Sequence, residues 1–352
     1  MRMNYKKIVV TYLIPATIIL AACNRTTYDA VYPTLSDGKY DSEFPYRNCS
    51  DQLEEIANSL VKVDVLVFYE TYSYSRSNQV TIQQIRLSGK AENLADGTDV
   101  LSESHGGTAI VLDAGPDHLA YLTCAHIVNY PDTVIQYYPY PDNNYVQAIG
   151  IKARQQNRVS SSPPGGELKI LAKDKSSDIA ILGKKLDASV NKTSNTFSYP
   201  LGNSEELEWG SFVYIMGYPL GHAMITRGIV SSPARISKGS FLIDAVFNMG
   251  YSGGPVIAVR DGVPNFEIVG MVKSSAAVNK LYLTPETTDQ AAELDINEPY
   301  EGRIKIQSEK DIQYGITFSV TTAAMVEFYD KNKEGIKRQG YDLDWFFTPG
   351  TD

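Results

Sequence analysis

Apolar residues in this chain occur in short segments, and their spacing is the strongest constraint on the fold. Each segment is four to six residues long, and clusters of Gly, Pro, Asn or Asp lie between segments, as at 113–117. Such segments, separated by turn residues, are typical of strands in an all-β barrel or sandwich and not of alternating β/α units. The segments are Thr108–Leu112, Leu119–Thr123, Leu168–Ala172, Ile179–Leu182, Phe212–Gly217, Phe241–Ala245, Pro255–Val259, Ile268–Val272 and Ile316–Val320.

Short helices are predicted before and after these strands. Asp51, with a second acid three residues later, resembles a helix cap, and apolar residues follow it at helical spacing. Residues 61–67 then alternate Val with other residues, which predicts a strand. A last helix is predicted over Thr322–Tyr329. Residues 71–103 and 279–312 are polar and irregular, and are predicted to be surface insertions.

The first 22 residues have the organisation of a signal peptide. The bases Arg2, Lys6 and Lys7 precede 13 largely apolar residues at 8–20, a run too short for a comfortable membrane span. The ending Leu-Ala-Ala-Cys resembles a bacterial lipoprotein box, in which Cys23 is lipidated and becomes the new N-terminus. An ordinary signal peptide followed by a chance Cys is the alternative.

The lipoprotein interpretation predicts a location as well as a modification. Residues 23–49 are polar and rich in Tyr, Asp and Pro, and they are predicted to tether the domain to the lipid. Acyl chains anchor a protein through about 0.8 kcal/mol for each buried CH₂ group, so a multiply acylated Cys23 holds firmly. We therefore expect the protein in the cell envelope, attached through Cys23 to a bacterial membrane.

Charge and cysteine content exclude some classes of protein. The chain has 32 Lys and Arg against 41 Asp and Glu, a net charge of −9, which disfavours binding to nucleic-acid backbones. Three Cys cannot form a disulfide framework. Cys49 and Cys124 could pair outside the cytoplasm, and a buried free thiol at Cys124 is equally compatible with the sequence.

A glycine-rich segment at 250–255, Gly-Tyr-Ser-Gly-Gly-Pro, gives the sharpest indication of chemistry. A Ser between glycines can occupy a tight turn that exposes its hydroxyl, and backbone N–H groups of such a turn can face a developing oxyanion. By itself the segment fits a nucleophilic Ser252, the nucleophile elbow of α/β-hydrolases, or a structural turn.

The order of the histidines separates these alternatives. All four His, at 105, 118, 126 and 222, precede Ser252, whereas an α/β-hydrolase needs its His after the nucleophile. His126 ends an apolar strand and Asp178 begins another, which allows a His–Asp–Ser triad. In this arrangement Ser252 attacks, His126 accepts its proton, and Asp178 orients the imidazole and stabilises the imidazolium.

With these residues placed, the chain resembles a trypsin-like serine protease of the HtrA (Deg) type. The resemblance covers about residues 50–335, nearly the whole mature domain. The matching motifs are TCAHIV at 123–128, SDIAIL at 177–182 and DAVFNMGYSGGPV at 244–256, with further agreement in GGTAIVLD at 106–113, LGNSEELEWGSFVYIMGYPLG at 201–221, TRGIVSS at 226–232 and YGITFSV at 314–320.

The resemblance implies an all-β fold with two six-stranded β-barrels, short N- and C-terminal helices and a cleft between the barrels. It implies backbone N–H groups of Gly250 and Ser252 as oxyanion donors. It places Val246, six residues before the nucleophile, at the base of the primary specificity pocket. It also implies that an extended polypeptide substrate pairs with the strand edge at Val272, Lys273 and Ser274.

Two features depart from the HtrA pattern. HtrA proteases usually carry PDZ domains, whereas fewer than 30 residues follow position 335 here, so residues 336–352 are predicted to be a C-terminal tail. The residue before the nucleophile is Tyr251, where HtrA types usually have Asn. Tyr251 is therefore expected to affect the oxyanion loop.

Two functional classes stay open from the sequence. The first is a serine endopeptidase acting on exported or unfolded proteins, and the second is a catalytically silent, lipid-anchored binding protein on the same fold. The complete set of His126, Asp178, Ser252 and Gly250 favours the endopeptidase. No cluster has metal-ligand spacing and no phosphate-binding glycine loop is present, so no metal or cofactor is predicted. An oligomer is compatible with the sequence.

Overall fold

The computed structural model describes residues 33–115, 117–160, 167–186, 195–234, 239–285 and 304–348. The predicted signal peptide and Cys23 lie outside the described residues. Two β structures, joined side by side, contain all thirteen strands of the described residues.

The first β structure is a curled, open sheet of seven antiparallel strands. Its order is β4-β5-β1-β2-β3-β7-β6. The strands are β1 (Leu60–Ser73), β2 (Gly97–Ala114), β3 (His118–Thr123), β4 (Thr133–Tyr137), β5 (Val146–Val159), β6 (Lys169–Asp174) and β7 (Ile179–Lys185).

The second β structure is a closed six-stranded barrel with the order β10-β13-β12-β11-β8-β9. Its strands are β8 (Phe212–Gly217), β9 (Met224–Ser232), β10 (Ser240–Asp244), β11 (Pro255–Val259), β12 (Phe266–Pro285) and β13 (Ile304–Thr321). The all-β, double-barrel fold of the trypsin type predicted from the sequence is confirmed, with a curled seven-stranded sheet in the place of the first closed barrel.

The alternation in β1 shows why these sequences form strands. Val61, Val63, Val65 and Val67 are buried, because side chains at every second position of a strand point to the same face. Burial of one Val side chain contributes about 1.5–3 kcal/mol. These valines belong to a core that also includes residues of β8, β11, β12 and the C-terminal segment, so the two β structures share it.

Five α-helices and five 3-10 turns lie within the described residues. The helices are α1 (Ser50–Asn58), α2 (Ile82–Ser88), α3 (Ala125–Val128), α4 (Thr322–Arg338) and α5 (Asp344–Phe347). The 3-10 turns are Pro33–Ser36, Arg76–Asn78, Ala91–Leu94, Ser204–Glu206 and Pro219–Gly221. The N-terminal helix lies where the sequence predicts one, but Asp51 does not cap it: Asp51 lies in the first turn, and Cys49 at the cap position makes no side-chain capping bond. No helix in the described ranges is long and apolar enough to span a membrane.

The C-terminal helix is longer than predicted. The Thr321 hydroxyl caps α4 by accepting the Ala324 N–H, and the helix continues to Arg338, beyond the expected boundary at residue 335. Residues after α4 return to the core, where Leu343 and Phe347 are fully buried. The described part of the predicted tail is therefore packed against the domain.

The segments predicted as irregular insertions form much of the longest strands. Residues 71–103 include the end of β1, the helix α2 and the start of β2, while 279–312 includes the outer parts of β12 and β13. Backbone pairing between neighbouring strands holds these polar sequences extended, as in Tyr72 with Thr98 and Lys280 with Glu309. A strand pattern is weak in such segments because both faces are largely exposed.

Cys49 and Cys124 are both buried and both free. The Cys49 Sγ lies 3.8 Å from the Tyr214 hydroxyl, and the Cys124 Sγ donates to the Val272 carbonyl oxygen at 3.3 Å. Of the two possibilities left open by the sequence, the free buried thiol at Cys124 is the one in the structure.

Candidate active site

Pairing between β3 and β7 brings His126 and Asp178 together. Thr123 at the end of β3 lies opposite Ala180 near the start of β7, so the residues flanking these strand ends meet although 52 positions separate them. The His126 Nδ1 is 2.8 Å from the Asp178 Oδ2, and the His126 backbone N–H donates to Oδ1, also at 2.8 Å. Both carboxylate oxygens of Asp178 are therefore engaged by the same residue.

The geometry fixes the imidazole for proton transfer. Because Nδ1 lies beside a carboxylate, we assign the proton of neutral His126 to Nδ1, which leaves the Nε2 lone pair free to accept a proton. The side chain of His126 is 47 % exposed while that of Asp178 is 7 % exposed. The imidazole can thus contact a substrate, whereas the carboxylate is shielded from water.

A turn between β6 and β7 holds Asp178 in place. The Asp174 carboxylate accepts hydrogen bonds from the backbone N–H and hydroxyl groups of both Ser176 and Ser177. These bonds hold the pKa of Asp174 well below its usual range, and the bonds from the two hydroxyls have the largest effect. Asp178 itself has φ of 59°, a left-handed conformation that costs about 1 kcal/mol outside glycine. The turn and the His126 hydrogen bonds offset that cost.

Two glycines shape the loop that carries Ser252. Gly250 has φ of 111°, and a Cβ at this position would lie 2.3 Å from the Tyr218 carbonyl oxygen. Gly253 has φ of 85°, and a Cβ there would lie 2.1 Å from the Thr108 carbonyl oxygen. Because only glycine fits these conformations and close approaches, the Gly-rich sequence is required by the loop.

Hydrogen bonds from both β structures fix this loop. Val272 of β12 donates its N–H to the Gly254 carbonyl and accepts from the Gly253 N–H, at 2.8 and 2.9 Å. Thr108 of β2 donates its N–H to the Ser252 carbonyl at 2.8 Å and its hydroxyl to the Gly250 carbonyl at 2.7 Å. The nucleophile loop therefore bridges the sheet and the barrel.

The predicted oxyanion donors are available. Within the described ranges, neither the Gly250 N–H nor the Ser252 N–H donates a hydrogen bond to another residue. Backbone N–H groups at a buried turn usually have partners, because an unpaired one costs free energy comparable to a lost hydrogen bond. Two free N–H groups, one on either side of Tyr251, are thus able to receive an anionic oxygen. Tyr251 itself is buried, with its ring 6.5 Å from that of Phe247.

The Ser252 hydroxyl does not point to the imidazole. It donates to the Lys273 carbonyl oxygen at 3.0 Å, and among the described residues no hydrogen bond joins it to His126. Ser252 is 7 % exposed. The structure therefore brings the candidate triad to one place but forms only its His–Asp half.

The candidate substrate-binding residues surround the nucleophile loop. Val246 is 56 % exposed, while its neighbour Phe247 is buried, so the Val246 side chain does not pack into the barrel. Val272 is fully buried, and Lys273 and Ser274 follow it along β12, partly exposed. The roles of these four residues in binding substrate stay predictions.

Three potential metal ligands meet at this site. The Cys124 thiol and ligand atoms of His126 and Asp178 lie within 4.8 Å of one another, a juxtaposition that the sequence spacing does not indicate. Burial, followed by the Asp178 charge, raises the pKa of the Cys124 thiol well above its usual value, which disfavours the thiolate that a metal needs. Both Asp178 oxygens are also engaged. The three residues do not fit a metal centre.

Sequence reasoning did not identify two residues that position the site, Thr108 and Asp174. Thr108 was visible only as part of the GGTAIVLD motif, because its hydroxyl bonds to residues more than 100 positions away. Asp174 is followed by serines at the second and third positions, which is a recognisable Asx-turn sequence.

One family comparison bears on this site. Residues 107–271 match the family model described as a trypsin-like peptidase domain, and this range contains His126, Asp178 and Ser252. No curated protein matches the chain. Together with the fold, the family match supports a trypsin-like serine protease.

Proposed function

We propose that this protein is a serine endopeptidase that hydrolyses peptide bonds of exported or unfolded proteins. The observation that carries the proposal is the pair of 2.8 Å hydrogen bonds from His126 to Asp178, located beside a Ser252 loop with two free N–H groups. A buried carboxylate, an exposed imidazole and a serine loop with oxyanion donors are the parts that acyl transfer requires.

Each residue has a defined role in the proposed reaction. The Ser252 oxygen attacks the substrate carbonyl carbon while its proton passes to Nε2 of His126. Asp178 stabilises the resulting imidazolium through Nδ1–H, and the N–H groups of Gly250 and Ser252 bind the oxyanion. His126 then gives the proton to the leaving amine, and water hydrolyses the acyl-enzyme through the same steps.

Attack requires a rotation of the Ser252 side chain. Its hydroxyl must exchange the Lys273 carbonyl for the imidazole of His126. Catalytic hydrogen bonds are often long or misaligned in an unliganded enzyme and tighten when substrate binds. A substrate that pairs with β12 at Lys273 would compete for that carbonyl and so favour the rotation.

The hydrogen bond from Ser252 to Lys273 also favours a second candidate function, that of a binding protein without catalytic activity. A catalytically silent binding protein would keep the cleft of the fold and leave Ser252 bonded to β12. It would bind extended polypeptides without cleaving them. The two functions differ in whether Ser252 becomes nucleophilic.

Reaction with a fluorophosphonate probe distinguishes the two. We expect the folded protein to be labelled and to cleave unfolded casein, and Ser252→Ala to lose both properties. Ser77→Ala, at an exposed serine in a distant 3-10 turn, is the matched control and should retain both. A folded wild-type protein that binds casein but neither reacts nor cleaves is the silent binding protein.

The resemblance to HtrA proteases and the lipoprotein signal extend the proposal. We infer that the enzyme is held at a bacterial membrane by lipid on Cys23, within the cell envelope. Polypeptides that cross that membrane would then be its substrates. Tyr40, Asp41 and Cys49 of the predicted tether are buried against the domain, so the tether proposed here is the part that precedes Tyr40.

A further inference from the structure

An open cavity of about 450 Å³ adjoins the imidazole of the candidate triad. Its position beside the nucleophile makes it available to a substrate residue close to the scissile bond. The residues that line it are His126, Asn129, Pro131, Lys175, Asp178 and Lys273. Two lysines thus border one cavity in a chain whose net charge is −9.

Both lysines are positioned by the elements that build the active site. Lys175 lies in the turn that Asp174 organises, three residues before Asp178. Lys273 supplies the carbonyl oxygen that accepts the Ser252 hydroxyl at 3.0 Å. Both residues therefore border the cavity beside His126.

Neither lysine has an anionic partner in the described part of the chain. Other lysines do, as in Lys62 with Asp64 at 2.8 Å and Lys152 with Asp132 at 2.6 Å. Among the described residues, Asp178 is the only acid that lines the cavity, and both of its oxygens accept from His126. The ammonium groups of Lys175 and Lys273 are therefore able to pair with an anionic group of a ligand.

Strand geometry indicates which substrate residue would reach it. An extended peptide alternates its side chains between two faces. If the residue whose carbonyl is attacked points toward Val246, the residue before it points to the opposite face, which we assign to the side of His126 and the cavity. This step rests on the proposed function, because it assumes a peptide acylating Ser252.

We propose that the cavity beside His126 binds an acidic side chain of the substrate residue immediately before the one whose carbonyl is attacked, through Lys175 and Lys273. Carboxylates form stronger hydrogen bonds with ammonium groups than neutral amides do. Because Lys175 is exposed, water and salt weaken the attraction, and the preference should decrease as ionic strength rises.

A set of peptides that differ only at this substrate position tests the proposal. Glu, Gln and Lys are compared there, with the same aliphatic residue at the cleaved bond. We expect kcat/KM for the Glu peptide to exceed that for the Gln peptide about five- to twentyfold, with the Lys peptide cleaved least. Raising the salt concentration should reduce the Glu-to-Gln ratio.

Variants show whether the two lysines cause the preference. Lys175→Gln and Lys273→Gln should each reduce the Glu-to-Gln ratio toward one, and Lys175→Glu should reverse the order of the Glu and Lys peptides. Lys333→Gln, at a half-buried lysine of α4, is the matched control and should keep the wild-type ratio. If Lys273→Gln fails to fold, the two Lys175 variants still test whether the cavity causes the preference for the Glu peptide.

The outcomes separate this inference from the proposed function. Cleavage that depends on Ser252 but occurs equally for Glu and Gln peptides overturns the acidic subsite alone. An unchanged ratio in the Lys175 variants overturns the role of that residue and of the cavity. If the folded wild-type protein cleaves none of the peptides or casein, the endopeptidase proposal fails and the subsite fails with it.

Discussion

The Thr108 hydroxyl donates to the Gly250 carbonyl oxygen at 2.7 Å, which links the first sheet to the loop that carries the nucleophile. The same hydroxyl oxygen accepts the Tyr218 N–H at 2.9 Å, and the residue is fully buried. The Thr108 hydroxyl therefore fixes the Gly250 carbonyl beside the two N–H groups predicted to bind the oxyanion.

Replacement of Thr108 should therefore affect both stability and activity. Thr108→Val keeps the shape of the side chain but leaves the Tyr218 N–H and the Gly250 carbonyl without their partner. We expect the free energy of unfolding to fall by about 1–3 kcal/mol, with a decrease in kcat/KM. Urea unfolding and peptide hydrolysis measure the two effects.

Thr108→Ser is the matched control for this hydroxyl. It keeps the oxygen and removes one methyl group, so it should cost about 1 kcal/mol in stability and retain more activity than Thr108→Val. Equal activity in the two variants would contradict a role for the hydroxyl in positioning Gly250.

Asp178→Asn tests the orientation of His126. Asn tolerates the left-handed backbone at this position, so the fold should persist. Its amide N–H₂ would face Nδ1 and favour the imidazole tautomer in which Nε2 carries the proton, which cannot accept the Ser252 proton. We expect kcat to fall by about 10³–10⁴-fold, with an unfolding transition close to that of the wild type.

Substrate preference at the cleaved bond tests the role of Val246. The side chain is apolar and exposed, and a buried ammonium beside it would have no partner. We expect cuts after Val, Ala or Leu in denatured casein, mapped by mass spectrometry. Val246→Asp should shift cleavage toward Lys and Arg. A majority of wild-type cuts after basic residues would refute this pocket.

His118 should make stability depend on pH. Its Nδ1 lies 2.7 Å from Asp117 and its Nε2 2.8 Å from Asp113. Burial acts to lower the pKa of His118, but the hydrogen bonds to Asp117 and Asp113 outweigh it, so the pKa is raised above 6.5. A raised folded-state pKa means that the stabilisation is present below pH 6.5 and is lost as pH rises through the folded-state value.

We therefore expect His118→Gln to lower the free energy of unfolding by about 1 kcal/mol at about pH 6 and by less at about pH 9. Urea unfolding at the two pH values measures the difference. His222→Gln, at an exposed residue, is the control for the His-to-Gln substitution itself. A cost that is larger at high pH would contradict the predicted charge on His118.

Removal of the lipid attachment site tests the proposed location. Cys23→Ala should move the protein from the membrane fraction to the soluble fraction, because acyl chains supply the anchoring energy. Cys49→Ala, which changes a buried cysteine, is the control and should stay with the membrane. A Cys23→Ala protein that resists a salt wash would require a second anchor.

Local patterns in the sequence determined the β class, the first helix and the candidate triad. Alternating valines and short apolar segments follow from strand geometry, and Gly250 and Gly253 follow from a turn that excludes Cβ atoms. Such requirements act within a few residues, so they can be read from the chain. The position of the His before the Ser excluded α/β-hydrolases without a structure.

Only the tertiary structure decided how distant groups meet. The rotamer that joins Ser252 to Lys273, the bond from Thr108 to Gly250 and the cavity between Lys175 and Lys273 each join residues far apart in the chain. The strands within polar segments and the open form of the first sheet likewise depend on pairing partners. Hydrogen bonds and burial across such separations are fixed by packing of the whole fold, which no local pattern contains.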